Sequence, residues 1–272
     1  MPELPEVQTV VNNLTTKIIN KTILDVTNPN RYQNVFLDSD LALFKKNILN
    51  KKIINISRLG KYIIITLDKG FITVHLRMTG KLLFNVNSNK KYITAKFLLN
   101  DNNYLVFDDV RKFGKINYLN SLNSLKTKLG IEPLSKNFTV DWLLKNISKK
   151  NRMIKALLFD QSFIAGLGNI YIDECLWNAK IHPQSISSKL TKQNISDLHS
   201  SIISILKKAI EFQGTTIINF YFGNNSKGNY EENLSVYSRE NKHCRRCNNI
   251  IIKIFVCQRG THICKSCQNI RR

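Results

Sequence analysis

The chain has 272 residues, 43% hydrophobic and 22% charged; this composition is globular rather than disordered, and the length suits one large domain or two ordinary ones. No apolar run approaches the ~18–20 residues of a membrane span, and the start Met1-Pro2-Glu3-Leu4-Pro5-Glu6 lacks the basic and apolar regions of a signal peptide, so an intracellular protein with no membrane partner is expected. Lys and Arg outnumber Asp and Glu 41 to 19, a formal charge of +22, which favours a polyanionic partner, nucleic acid before a membrane surface.

In chain order, residues 5–18 read as a helix: Val7, Val10, Val11, Leu14 and Ile18 share one face, Pro5 suits the first turn and Glu6 the positive end of the dipole. The period then changes. Stretches around 22–27, 52–58, 61–67, 70–76, 93–99 and 103–107 are short, β-branched and separated by turns such as Asp68-Lys69-Gly70. Strands without intervening helices imply an antiparallel sandwich or barrel. After residue 130 the pattern turns helical, over 141–148, 152–160, 169–179 and 191–212, followed by a polar, Gly- and Asn-rich loop at 222–229.

The last segment is distinct. From Arg239 to Arg272 there are nine basic residues and one acid, Glu240, together with five of the six cysteines. Thirty of the 41 basic residues are lysine, a bias that leaves nucleic-acid binding open on charge alone; where the charge sits is more informative. Cys244-x2-Cys247 and Cys264-x2-Cys267 are 16 residues apart, and two such turns bring four thiolates onto one tetrahedral ion. Two disulfides are the competing reading, disfavoured in a chain without secretion signals. Four cysteine ligands leave no open position for a catalytic water, so one structural zinc is expected. Cys175 and Cys257 are out of register with the quartet. Residues 250–256 and 261–263 read as a hairpin broken at Gln258-Arg259-Gly260, whose arginine is either an exposed turn residue or a guanidinium offered to a phosphate.

The ordered series Pro2-Glu3-Leu4-Pro5-Glu6-Val7, Arg58-Leu59-Gly60-Lys61-Tyr62, His75-Leu76-Arg77-Met78-Thr79-Gly80, Asp109-Val110-Arg111-Lys112-Phe113-Gly114, Leu129-Gly130-Ile131-Glu132-Pro133-Leu134 and Ala165-Gly166-Leu167-Gly168-Asn169-Ile170-Tyr171, ending in the finger, resembles the formamidopyrimidine-DNA glycosylase family along the whole chain. That family comprises bacterial enzymes that remove oxidised purines. Leu4 stands where the related endonuclease VIII type usually has Gly, which favours the purine-directed branch. The resemblance implies Pro2 as nucleophile and Glu3 as acid. Physically, removal of Met1 would expose a secondary amine that can attack a sugar C1′ and form a charged iminium, with Glu3 adjacent as proton donor and shuttle; without the resemblance, Pro-Glu is an ordinary helix start.

The resemblance further implies that Lys61 and Arg259 hold the phosphates flanking a lesion and assist elimination. Met78, Arg111 and Phe113 would enter the duplex where the damaged base leaves, with Arg111 bonding the orphaned cytosine; from the residues alone Met78 and Phe113 read as core. Asn169, at a Gly-rich turn before a helix, would contact the DNA backbone, with Lys155 and Arg152 nearby. Two positions depart from the family pattern: Val110 replaces a usual Pro, and Tyr92 a common His that would touch DNA.

The expected fold is therefore α+β: an N-terminal helix with an antiparallel β-sandwich (1–130), a helical domain with a helix–two-turn–helix and a lesion-capping loop (131–236), and a β-hairpin zinc finger (237–272). The resemblance implies a monomeric bifunctional DNA glycosylase and abasic-site lyase of the bacterial cytoplasm, acting on duplex DNA with oxidised bases or abasic sites. The alternatives are an endonuclease VIII-type pyrimidine enzyme and a catalytically silent zinc-finger DNA-binding protein.

Overall fold

The computed structural model describes all residues except 38–39, 87–88 and 217–225. It groups them in two compact units: Met1–Lys126 with Phe212–Asn229, and Thr127–Glu211 with Tyr230–Arg272. The loop expected to cap a lesion, Gly214–Tyr237, falls partly on 217–225, outside the described residues.

In the first unit, α1 (Leu4–Ile18) carries Pro5 in its first turn and buries the expected stripe of Val7, Val10, Val11, Leu14 and Ile18. The chain continues as β1 (Ile23–Thr27), α2 (Leu41–Ile48), β2 (Ile53–Leu59), β3 (Tyr62–Leu67), β4 (Phe71–His75), β5 (Gly80–Phe84), β6 (Ile93–Leu99), β7 (Tyr104–Asp109), β8 (Lys115–Leu119) and the short α3 (Asn123–Lys126). The strands form two antiparallel four-stranded sheets, ordered β1-β6-β7-β5 and β2-β3-β4-β8. Residues of both sheets, α1 and α2 share one core, among them Leu14, Phe44, Ile63, Val74, Phe97 and Phe107; each fully buried aliphatic or aromatic side chain contributes about 1.5–3 kcal/mol.

Besides the short α3, three elements go beyond the sequence expectation. The helix α2 is capped by Asp40, whose carboxylate accepts the Leu43 N–H at 2.7 Å, and it buries Phe44 and Ile48 one turn apart. Strands β5 and β8 are five residues each, and β5 has no β-branched residue. They become strands by pairing, β5 with β7 and β8 with β4, so tertiary context overrides weak propensity.

The second unit holds α4 (Val140–Ile147), α5 (Ile154–Phe159), α6 (Asn169–Asn178) and α7 (Lys192–Glu211), then the hairpin β9 (Ile252–Val256) and β10 (Arg259–Ile263). Helix and finger share an apolar cluster of Trp177, Val236 and Ile251 with Cys244, Cys264 and Cys267. Among the described residues no helix is long and apolar enough to cross a membrane.

Candidate active site and metal centre

Pro2 and Glu3 are buried ahead of α1. Glu3 is the N-cap, and its N–H donates to Glu6 Oε2 at 2.7 Å in a capping box. The other oxygen of Glu6 accepts the Thr215 N–H at 2.8 Å. Gly214 precedes that contact with φ +80°, and a Cβ there would sit 2.8 Å from Glu6 Oε1, so only glycine allows the approach. A single buried carboxylate thus fixes both the start of the chain and the segment entering 217–225.

Lys61, buried at 4% exposure, sits in the turn between β2 and β3. Arg58 holds that turn: its guanidinium donates to Gly60 O at 2.9 Å and, through Nε, to Gln8 Oε1 of α1 at 3.1 Å. Across the ladder, Tyr62 faces His75, ring edge to ring face at 4.7 Å. Burial, then the Arg77 and Lys61 charges, pull the His75 pKa down to about 3. Its Nδ1 accepts the Arg77 N–H at 3.1 Å, which leaves the ring proton on Nε2 as a neutral donor.

Met78 and Phe113 are exposed, at 46% and 50%; they are not core, as their residue types alone would have it. Arg111 joins them, with Nη1 3.1 Å from Met78 Sδ and its guanidinium 4.8 Å over the Phe113 ring. Apolar groups held out beside a cation suit insertion into a base stack. Asp109, almost wholly buried, lies beneath the three. Tyr92 is half-buried, and its carbonyl accepts the Asp109 N–H at 2.9 Å. Val110, in place of the usual proline, is exposed.

In the second unit, Asn169 opens α6 after the Gly166-Leu167-Gly168 turn and donates through Nδ2 to Gly260 O at 2.9 Å. Gln161 pins the turn, accepting the Gly166 N–H and donating to Leu167 O. Arg259 opens β10 with its guanidinium 5.3 Å over the Phe159 ring. Asn169 and Arg259 are therefore adjacent.

Lys155 is buried. Expected near the DNA backbone, it is 1% exposed, lies 2.5 Å from Asp173 Oδ1 and donates to Thr261 Oγ1 at 2.8 Å. A cation enclosed this way presents nothing to a phosphate; it joins α5, α6 and β10 instead. Asp173 Oδ2 also accepts the His262 N–H at 2.9 Å, and Thr261 donates back to Arg259 O. Arg152 keeps partial exposure but pairs with Asp160 at 2.9 Å. Two acids, Asp173 and Glu174, in an otherwise apolar helix were the available sign that α6 buries paired charge. Glu174 accepts N–H groups from Ser235, Val236 and Tyr237, docking the segment that leads into the finger.

The four cysteine sulfurs of Cys244, Cys247, Cys264 and Cys267 lie within 4.8 Å of one another, with 3.9 Å between Cys244 and Cys267 and 3.4 Å between Cys247 and Cys264. A tetrahedral Zn–S bond of about 2.3 Å implies an S···S edge of about 3.8 Å, so the set fits such an ion. Against burial, which raises it, N–H groups of Arg246 and Cys247 bring the Cys244 thiol down to about 6, whereas burial and its neighbours push Cys267 up to about 12. Four sulfurs this close ionise together only around a cation. The finger's charge is partly turned inward: Arg246 donates to the carbonyls of Trp177 and Asn178 and stacks on the Trp177 ring at 4.1 Å, and Arg245 donates to Glu232 O.

Residues 1–116 match the formamidopyrimidine-DNA glycosylase N-terminal domain and residues 129–220 the formamidopyrimidine-DNA glycosylase H2TH domain. The chain is 37% identical over 278 residues to the formamidopyrimidine-DNA glycosylase of Cytobacillus firmus, covering 98% of this chain and 100% of that protein. Among solved structures it is similar to a Lactococcus lactis Fpg variant bound to DNA containing Fapy-dG (TM-score 0.91, 37% identity, 98% of this chain and 99% of that one). It is also similar to the Lactococcus lactis enzyme bound to DNA with an abasic site (TM-score 0.89, 36% identity, 98% and 99%). Sequence match and shared fold agree, and the chain belongs to the formamidopyrimidine-DNA glycosylase family.

Proposed function

We propose that this DNA-repair glycosylase removes oxidised purines from duplex DNA and then cuts the strand, with the Pro2 nitrogen as nucleophile once Met1 is removed. The observation that carries this reading is the fixed start of α1, where the capping box holds Glu3 and hence the peptide unit beside Pro2 in one position. The amine bonds to C1′ of the damaged nucleotide as the base departs with the electrons of its own C1′–N bond; the departing base takes up a proton and the N–H proton of the amine is lost, which returns a lone pair to the Pro2 nitrogen. Glu3 gives a proton to the sugar ring oxygen as the ring opens, and the nitrogen lone pair completes an iminium. A proton then leaves C2′ and the C3′–O bond breaks; a second elimination breaks the C5′–O bond. Lys61 and Arg259 hold the flanking phosphates, Asn169 the DNA backbone, and Met78, Arg111 and Phe113 fill the space the base leaves. Zinc on the four cysteines supplies folding energy to the finger and takes no part in bond making. Relatives of known structure hold DNA with Fapy-dG, an abasic site or an oxidised pyrimidine, so lesion preference is part of the test.

Borohydride reduces an iminium to a stable amine. Incubation with an 8-oxoguanine:cytosine duplex and borohydride should crosslink the protein through its processed N-terminus, and retention of Met1 should abolish trapping while duplex binding persists. Binding without trapping would mean a silent DNA-binding protein, a faster reaction on an oxidised pyrimidine an endonuclease VIII-type enzyme, and an adduct mapped to Lys61 a different nucleophile.

A further inference from the structure

Asp109 is 1% exposed and ends β7. Its carboxylate is shared between two loops. Oδ2 accepts the Gly114 N–H at 2.7 Å, and Oδ1 accepts the Arg111 N–H at 3.2 Å. Oδ1 also accepts the hydroxyl of Thr79, which in turn accepts the Arg111 N–H at 3.1 Å. Thr79 follows Met78, and Gly114 follows Phe113. One carboxylate therefore ties the backbone at Arg111 and Gly114 to the Thr79 hydroxyl, beside all three exposed side chains. Both loops need the support, because Arg77 and Lys112 sit at φ 54° and 58°, a region that costs a non-glycine residue of order 1 kcal/mol. Gly114 leaves no room for a side chain: a Cβ would lie 2.4 Å from the Phe107 ring and 3.0 Å from Asp109 Oδ2.

We propose that Asp109 is a positioning residue for base displacement: its carboxylate sets Met78, Arg111 and Phe113 as one preformed wedge. This rests on the reading of those three side chains given above. No neutral isostere replaces it. In Asp109→Asn one oxygen becomes an N–H donor, and whichever way the amide faces, that donor meets either the Gly114 N–H or the Arg111 N–H. The wedge residues then keep their chemistry but lose their common base. Steps that need the wedge, namely displacing a paired base and reading its partner, should suffer; cutting an abasic site that has no partner strand should not.

The experiment measures single-turnover cutting of three substrates: an 8-oxoguanine duplex with cytosine opposite, the same duplex with adenine opposite, and a single-stranded abasic oligonucleotide. Loss of charge-assisted hydrogen bonds in Asp109→Asn should lower duplex cutting and the cytosine-over-adenine preference by about tenfold each, with single-strand cutting within about twofold of wild type. Thr79→Val removes only the hydroxyl link between the loops and should shift the same two readouts by a smaller factor; it decides the matter if Asp109→Asn fails to fold. Equal losses on all three substrates, or wild-type preference in a folded Asp109→Asn or in Thr79→Val, would overturn the proposal. A wild-type enzyme that shows no partner preference, or an Arg111→Ala variant that keeps it, would instead refute the wedge reading.

Discussion

Lys155 Nζ lies 2.5 Å from Asp173 Oδ1 with neither side chain more than 1% exposed, and the same pair binds β10 through Thr261 Oγ1 and the His262 N–H. The consequence is mechanical. Arg259 and Asn169 reach their positions because the strand that carries one and the helix that carries the other are fastened to a single buried ion pair. Charge is used here to fix geometry: the buried pair joins α5, α6 and β10.

Removing one partner should be severe. Lys155→Met leaves the Asp173 carboxylate without a cation, and breaking a buried pair costs about 3–5 kcal/mol. Urea melts should show that loss in the transition of the second unit, and adding Asp173→Asn should recover part of it, since an amide needs no counter-charge. An effect below about 1 kcal/mol would place Lys155 in solvent, against the structure.

The finger should depend on metal. Purified protein should carry one zinc per chain, and Cys244→Ser or a strong chelator should release it, lower DNA affinity and expose Trp177, which packs against Cys244 and Ile251. The sandwich should keep its own unfolding transition. Metal analysis and Trp fluorescence check both points.

Arg259→Ala should leave zinc content unchanged, since Thr261 bonds the Arg259 carbonyl rather than its side chain. Loss of one phosphate contact should lower the salt slope of DNA binding by about 0.9 and depress cutting at abasic sites. Lysine in its place should restore part of the binding and less of the cutting, because the planar fork is lost. Unchanged salt dependence would make this an ordinary surface arginine.

His75 gives the fold a pH dependence. Its folded pKa of about 3 lies below the unfolded 6.5, so between those values the unfolded chain binds a proton that the folded protein refuses. Stability from this group is complete above pH 6.5 and falls as pH drops toward 3. By linkage the loss at pH 5 is about 2 kcal/mol. His75→Gln, which can still accept the Arg77 N–H, should lose stability less steeply over that window in denaturant titrations at pH 7, 6 and 5. Parallel curves would contradict the assignment.

Much is legible in the sequence because the signals are local. The stripe of α1, six of the eight sandwich strands, helices α4 to α7 and the CxxC pairs depend on residues a few positions apart, and local chemistry decides them. The exact partners were not legible. Strand order β1-β6-β7-β5 pairs segments 70 residues apart, and β5 and β8 exist only because a neighbour's ladder is open to them. The same limit governed the site. The cysteine quartet is legible from its spacing, and Pro2, Glu3 and Arg259 are singled out only by the resemblance, but a lysine's sequence neighbours do not say whether it faces phosphate or a buried aspartate. Nor do they say whether Met78 and Phe113 lie in the core or in water. Burial depends on what the rest of the chain packs against, so tertiary structure alone enclosed Lys155 with Asp173, exposed Met78 and Phe113 and placed Asp109 beneath them.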